Sequence, residues 1–145
     1  MSTNNIKITK LTPKLQEMLN QYAGKITDKV KVLAKDTTAD LVKNTKADSP
    51  KHTGEYKKHI SSKKVAESST SVSYKWYVKS PEYRLTHLIS FGHKRIIGAG
   101  PHNSIPTQKG RIEGNDYLIK NVSTAQKRYI KGVKEIIENE RWKLV

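Results

Sequence analysis

The five histidines are the first residues to weigh as chemistry. His52, His59, His87, His93 and His102 could each ligate a metal, but a zinc site needs three or four converging ligands, and the helical zinc motif sets two histidines four apart with an acid between them. No pair here has that spacing with acidic support, so packing and turn roles are expected and no metal. Asp48, Glu55, Glu67 and Glu82 stand in unrelated segments, whereas hydrolysis by paired carboxylates needs two of them across one bond. The chain has no cysteine, which removes a thiolate nucleophile, a thiolate metal site and any disulfide framework. Gly92, Gly98 and Gly100 follow a helix-like stretch rather than a strand, so they form neither a dinucleotide fingerprint nor a phosphate loop, and no nucleophile elbow is present. The expectation is a protein that is not an enzyme and carries no cofactor.

Trp76, Tyr74 and Tyr77, interleaved with Lys75 and Lys79, could stack bases while the lysines hold phosphates. A strand with one face on a core produces the same alternation, and packing is the preferred reading. Lys plus Arg number 28 against 13 Asp plus Glu, a formal charge of +15. Such an excess repels itself unless a partner or salt neutralises it, and DNA is an obvious partner. The lysines are spread along the chain rather than gathered on one segment, which a soluble surface explains equally well. Acids at Glu17, Asp28, Asp36 and Asp40, and again at Glu135, Glu138 and Glu140, interrupt the basic helical stretches, so solvated faces are expected rather than membrane-surface helices. No apolar run approaches the ~18 residues that cross a bilayer. Met1 to Lys7 lacks the apolar stretch of a secretory leader.

These residues need elements to position them. From Thr12 to Ala47 the apolar positions Leu15, Met18, Leu19, Tyr22, Ala23, Ile26, Val30, Leu33, Ala34 and Leu41 recur at helical steps. Thr12 suits a cap, Pro13 the first helical position, and Pro50 forbids continuation; residues 1–11 read as a flexible arm. Gly24 costs about 1 kcal/mol relative to Ala inside a helix, so two helices or one bent helix are expected. Unbroken, the segment would span about 54 Å against a diameter near ~38 Å for a domain of this length. Its stripe would then need a second subunit to cover it. The alternatives are a break near Gly24 or an oligomer.

Pro50 to Gly54 reads as a turn. Residues 56–65 and 71–79 read as extended, joined through Glu67 to Thr70, with Val72, Tyr74, Trp76 and Val78 alternating on the clearer strand. Glu82 to Phe91 suits a short helix with Leu85, Leu88 and Ile89 inward and Gly92 as a left-handed stop. Residues 93–115 are expected as one long loop, because Gly98, Gly100, Pro101, Pro106, Gly110 and Gly114 argue against a helix. Its length marks it for a role in contact, ordering on assembly. The closing stretch returns to helical spacing at Ile119, Val122, Tyr129, Val133, Ile136 and Ile137, capped by Asn115 or Asp116. One domain over 1–145 is expected.

The stretch Ala47 to Ile60, with Pro50, then Thr53-Gly54, then an apolar residue, resembles the signature after the first helix in tail-completion proteins of long-tailed bacteriophages. Tyr83 to His93 is similar to that family's short helix, which runs into a Phe-Gly-His-type end, here Phe91, Gly92 and His93. Pro101-His102 resembles its later Pro-His step, and the likeness covers roughly Lys25 to Ile137. Ser90 departs from it, standing where the family often has an acid, and Gln108 to Gly114 reads as extra loop. The resemblance implies an α+β fold: an antiparallel sheet flanked by a long N-terminal helix, a short middle helix and a C-terminal helix. It implies a structural virion subunit for tail completion or head-tail joining. Such a subunit assembles with itself as a ring of six at the neck or tail end, after a time in the host cytoplasm. Its partners would be neighbouring neck and tail-tube proteins, with viral DNA within reach and no membrane. The turn and assembly residues it points to are Pro50, Thr53, Gly54, His87, Phe91, Gly92, His93, Pro101 and His102. Glycine supplies a positive φ at both Gly54 and Gly92 in this reading. A basic nucleic-acid-binding module is the alternative.

Overall fold

Helix α1, Ile8–Asp48, organises the molecule. In the computed structural model, which describes residues 8–51, 54–97 and 107–141, it runs 41 residues, about 61 Å at the usual rise. The break considered at Gly24 does not occur. Splitting a helix exposes four N–H and four C=O groups at the new ends, which outweighs the roughly 1 kcal/mol cost of one glycine. The helix also begins earlier than its cap residues suggest. Ile8 to Leu11, expected in a flexible arm, are helical, and Pro13 lies inside the helix rather than at its first position. There the proline forfeits one ladder bond, to the carbonyl of Thr9, while the rest of the turn holds. Residues 1–7 of the expected arm lie outside the described residues. At the other end α1 stops at Asp48, Ser49 is buried, and its hydroxyl donates to the Lys46 carbonyl at 3.0 Å.

After Gly54 (φ 75°, ψ −11°) comes a short helix α2, Glu55–His59, where extended chain was expected. The His59 Nδ1 lies 2.9 Å from the Glu55 carbonyl, closing that turn. Strand β1, Ile60–Glu67, then pairs antiparallel with β2, Val72–Val78, from Ile60↔Val78 to Glu67↔Val72, with Val65 as the extra residue of a bulge. A 3-10 turn, Glu82–Arg84, leads into α3, Leu85–Phe91. Leu85 is exposed rather than inward, while Leu88 and Ile89 are half-buried. Leu85 sits where the 3-10 turn passes into α3, so the 3.6-residue spacing that would align it with the other two has not begun.

The single long loop expected over 93–115 is replaced at both ends by a second hairpin. Strand β3, His93–Ile97, pairs antiparallel with β4, Thr107–Ile112, from His93↔Ile112 to Ile97↔Thr107. Residues 98–106, with Pro101 and His102, lie outside the described residues. Lys109 and Gly110 together oppose Arg95, and Gly110 takes φ 74° there, as a bulge of this kind requires. The breakers at 98–106 thus fall between two strands rather than throughout the segment. Helix α4, Tyr117–Arg141, is the last described element. Of the two candidate caps, Asn115 supplies the oxygen: its Oδ1 accepts the Tyr117 N–H at 2.9 Å. The fold is α+β, with two separate two-stranded sheets. Its core is small: Tyr56, Ile60, Val78 and Tyr117 are buried, with Val42, Trp76, Ile89 and Leu118 packed against them.

Candidate assembly surface

Two buried polar links hold the elements in place. Tyr56 of α2 donates from its hydroxyl to Thr86 Oγ1 of α3 at 3.1 Å, so the Tyr117 hydroxyl of α4, 2.7 Å away, donates to Tyr56. Burial, reinforced by that contact, raises the Tyr117 phenol well above its ordinary value. On the opposite side the Trp76 indole N–H donates to Thr45 Oγ1 at 3.0 Å, and Thr45 donates to the Leu41 carbonyl at 2.7 Å. Thr45 is wholly buried, and this chain anchors the β1–β2 hairpin to α1. The hairpin tip is tied as well, because Lys31 of α1 reaches both the Ser68 carbonyl and the Glu67 carboxylate. Lys64, and after it Lys31, hold that carboxyl below its ordinary range.

Helix α4 lies antiparallel on α1. Asn121 donates to Asp48 at 2.8 Å, Arg128 pairs with Asp40, Gly132 lies under Leu33, and Lys29 pairs with the buried Glu140. The described part of α4 ends at Arg141, level with Asp28. Roughly 20 residues of α1, about 30 Å, extend beyond it. Along that overhang Leu15, Met18 and Leu19 are 53%, 45% and 54% exposed. With the half-buried Tyr22 and Ile26 they stand on one face, the same face that Leu33, Asp36 and Asp40 turn toward α4. The stripe continues the α1–α4 seam past the point where α4 ends.

Between α4 and the β1–β2 hairpin a groove runs along α1. Its wider end holds about 380 Å³ between Ala34, Thr37, Thr38 and Leu41 of α1, Val72 to Tyr74 of β2, and Val122, Ala125, Gln126 and Tyr129 of α4. Its narrower end holds about 330 Å³ beside Ile26, Val30 and Lys31 and shares Val72 and Tyr129 with the first. Among the described residues no charged side chain lines the wider end. Thr37 Oγ1 is buried there and has no hydrogen-bond partner among the described residues.

No family model, curated protein or solved structure matches the chain.

The residues singled out from sequence divide by place. Pro50 follows the end of α1, and Gly54 opens α2 at a left-handed φ. Gly92 has φ 73° but ψ 175°, an extended mirror conformation rather than the left-handed helical stop expected. A Cβ there would fall 2.7 Å from the Gly114 nitrogen and closer still to the Ile112 carbonyl, so Gly92 and Gly114 let two chain segments cross. Phe91 is 69% exposed beside this crossing, and Arg111 donates to its carbonyl at 2.9 Å. His93 opens β3 with Nδ1 buried and making no hydrogen bond among the described residues, and His87 is exposed on α3. Thr53, Pro101 and His102 lie outside the described residues. Tyr56 and Thr86, inside the two sequence blocks, bring those blocks together. Among the described residues no three His, Asp or Glu side chains group as metal ligands, and no helix is long and apolar enough to cross a membrane. Trp76, weighed as a stacking platform, faces α1 instead. Sequence reading passed over the groove because it is lined by Ala34, Thr37 and Ala125, small residues that carry no signal until three distant segments converge.

Proposed function

We propose that this chain is a ring-forming structural subunit of a long-tailed bacteriophage, acting in tail completion or head-tail joining at the neck or tail end of the virion. The observation that carries the reading is the apolar stripe on the α1 overhang, which the described residues leave exposed at Leu15, Met18 and Leu19. On a helix that does not break at Gly24, a second copy of the chain can cover it. The element order and the two sequence blocks around Gly54 and Gly92 support the phage assignment. In this reading the partners are further copies of the chain, six to a ring, and the adjoining neck and tail-tube proteins.

A nucleic-acid-binding module is favoured by one observation, the charge of +15. Light scattering on the purified protein separates the two. A closed oligomer of constant mass over a range of concentrations is the expected result. A monomer that binds duplex DNA with a steep salt dependence would replace this reading with the second. Electron microscopy of intact particles then locates the ring.

A further inference from the structure

We infer that the groove between α4 and the β1–β2 hairpin receives the α1 overhang of a neighbouring copy of this chain, so that the ring is built head to tail. The inference rests on the ring reading and names its contact. Length is the first argument: the stripe from Leu15 to Tyr22 and the wider end of the groove from Ala34 to Leu41 each span about 10 Å. An amphipathic helix laid in an apolar groove is a common recognition mode, read through anchors three and four residues apart, the spacing of Leu15, Met18, Leu19 and Tyr22.

Charge is the second argument. Copies that each carry +15 repel one another, and like charges set against each other across an interface are costly. Whereas the narrower end of the groove carries Lys31, the stripe Leu15, Met18, Leu19 and Tyr22 is uncharged, and so is the lining of the wider end. These are two surfaces on which such copies can meet without opposing cations. Small side chains in the groove, Ala34, Thr37 and Ala125, let a helix approach closely. The stripe from Leu15 to Tyr22 and the wider end of the groove are different patches, so the contact is heterologous and propagates from copy to copy until rotation closes it.

The test uses the full chain with Leu19→Arg, which spoils the stripe, and Ala125→Arg, which blocks the groove. Leu19 is more than half exposed, so its variant is expected to keep the wild-type circular dichroism. If Ala125→Arg does not, Ser73→Arg on the exposed opposite wall replaces it. Each variant alone should be monomeric by light scattering. Mixed in equal amounts they should form a species of twice the single-chain mass and nothing larger, because one intact stripe meets one intact groove. A groove variant that keeps the wild-type oligomer, or a mixture that stays monomeric, overturns the inference and leaves the ring reading standing. A wild-type chain that is monomeric at every concentration removes both.

Discussion

Gly54 and Gly92 look equivalent in sequence, each a glycine after a candidate stop, yet their surroundings make them unequal. At Gly54 an added Cβ meets open space, so Gly54→Ala pays only for the left-handed backbone, about 1–2 kcal/mol. At Gly92 the same carbon runs into the backbone of Ile112 and Gly114, adding overpacking to strain, and Gly92→Ala is expected to cost about 3 kcal/mol or more. Urea titrations of both variants check the order; equal losses would mean that the crossing yields freely. Tyr117 gives a second expectation. Its phenol is held above the usual value near 10 by burial and by Tyr56. The unfolded chain therefore ionises it first, so the stabilisation is fully present below about pH 10 and is lost as pH rises toward the folded value. Denaturation midpoints should fall as pH rises above about 10, and Tyr117→Phe should flatten part of that fall.

At the scale of elements, α1 was legible as a stripe because helical spacing survives in the residue order, and β2 as an alternation. The continuity of α1 was not, since Gly24 weighs about 1 kcal/mol locally while the cost of breaking is spread over two new ends. A Cβ at Gly24 would meet nothing within 4 Å. Gly24→Ala is therefore expected to raise the helical circular dichroism signal or the melting midpoint of the free subunit, by up to ~1 kcal/mol, and to leave the assembled mass unchanged. A loss of assembly would show that a bend at Gly24 is needed in the ring. The β3–β4 hairpin was illegible for another reason. Lys94, Arg95, Gln108, Lys109 and Arg111 give it no apolar alternation, so its strands show only in pairing. Of the candidate contact surface the stripe could be read in advance, whereas the groove could not, because it exists only where Ala34, Val72 and Ala125 meet.

For the whole molecule the weak point is the core, four buried apolar residues among those described, with helix α1 projecting well beyond it. Because the projecting stripe and the receiving groove lie on one continuous helix, α1 acts as a gauge: the distance and angle from each subunit to the next are counted in residues of a single rod. Inserting about two turns (seven residues) after Tyr22 would keep the stripe from Leu15 to Tyr22 within ~20° of its present facing and move it outward by about 10 Å. Such a chain should still assemble, but into rings of a different diameter, visible by negative-stain microscopy. Inserting two residues instead turns the stripe by roughly 200°, away from its neighbour, and should leave monomers. Rings of unchanged diameter from the longer insertion would show that curvature is set elsewhere. Read as a gauge, the helix makes the size of the assembly a property that can be edited one turn at a time.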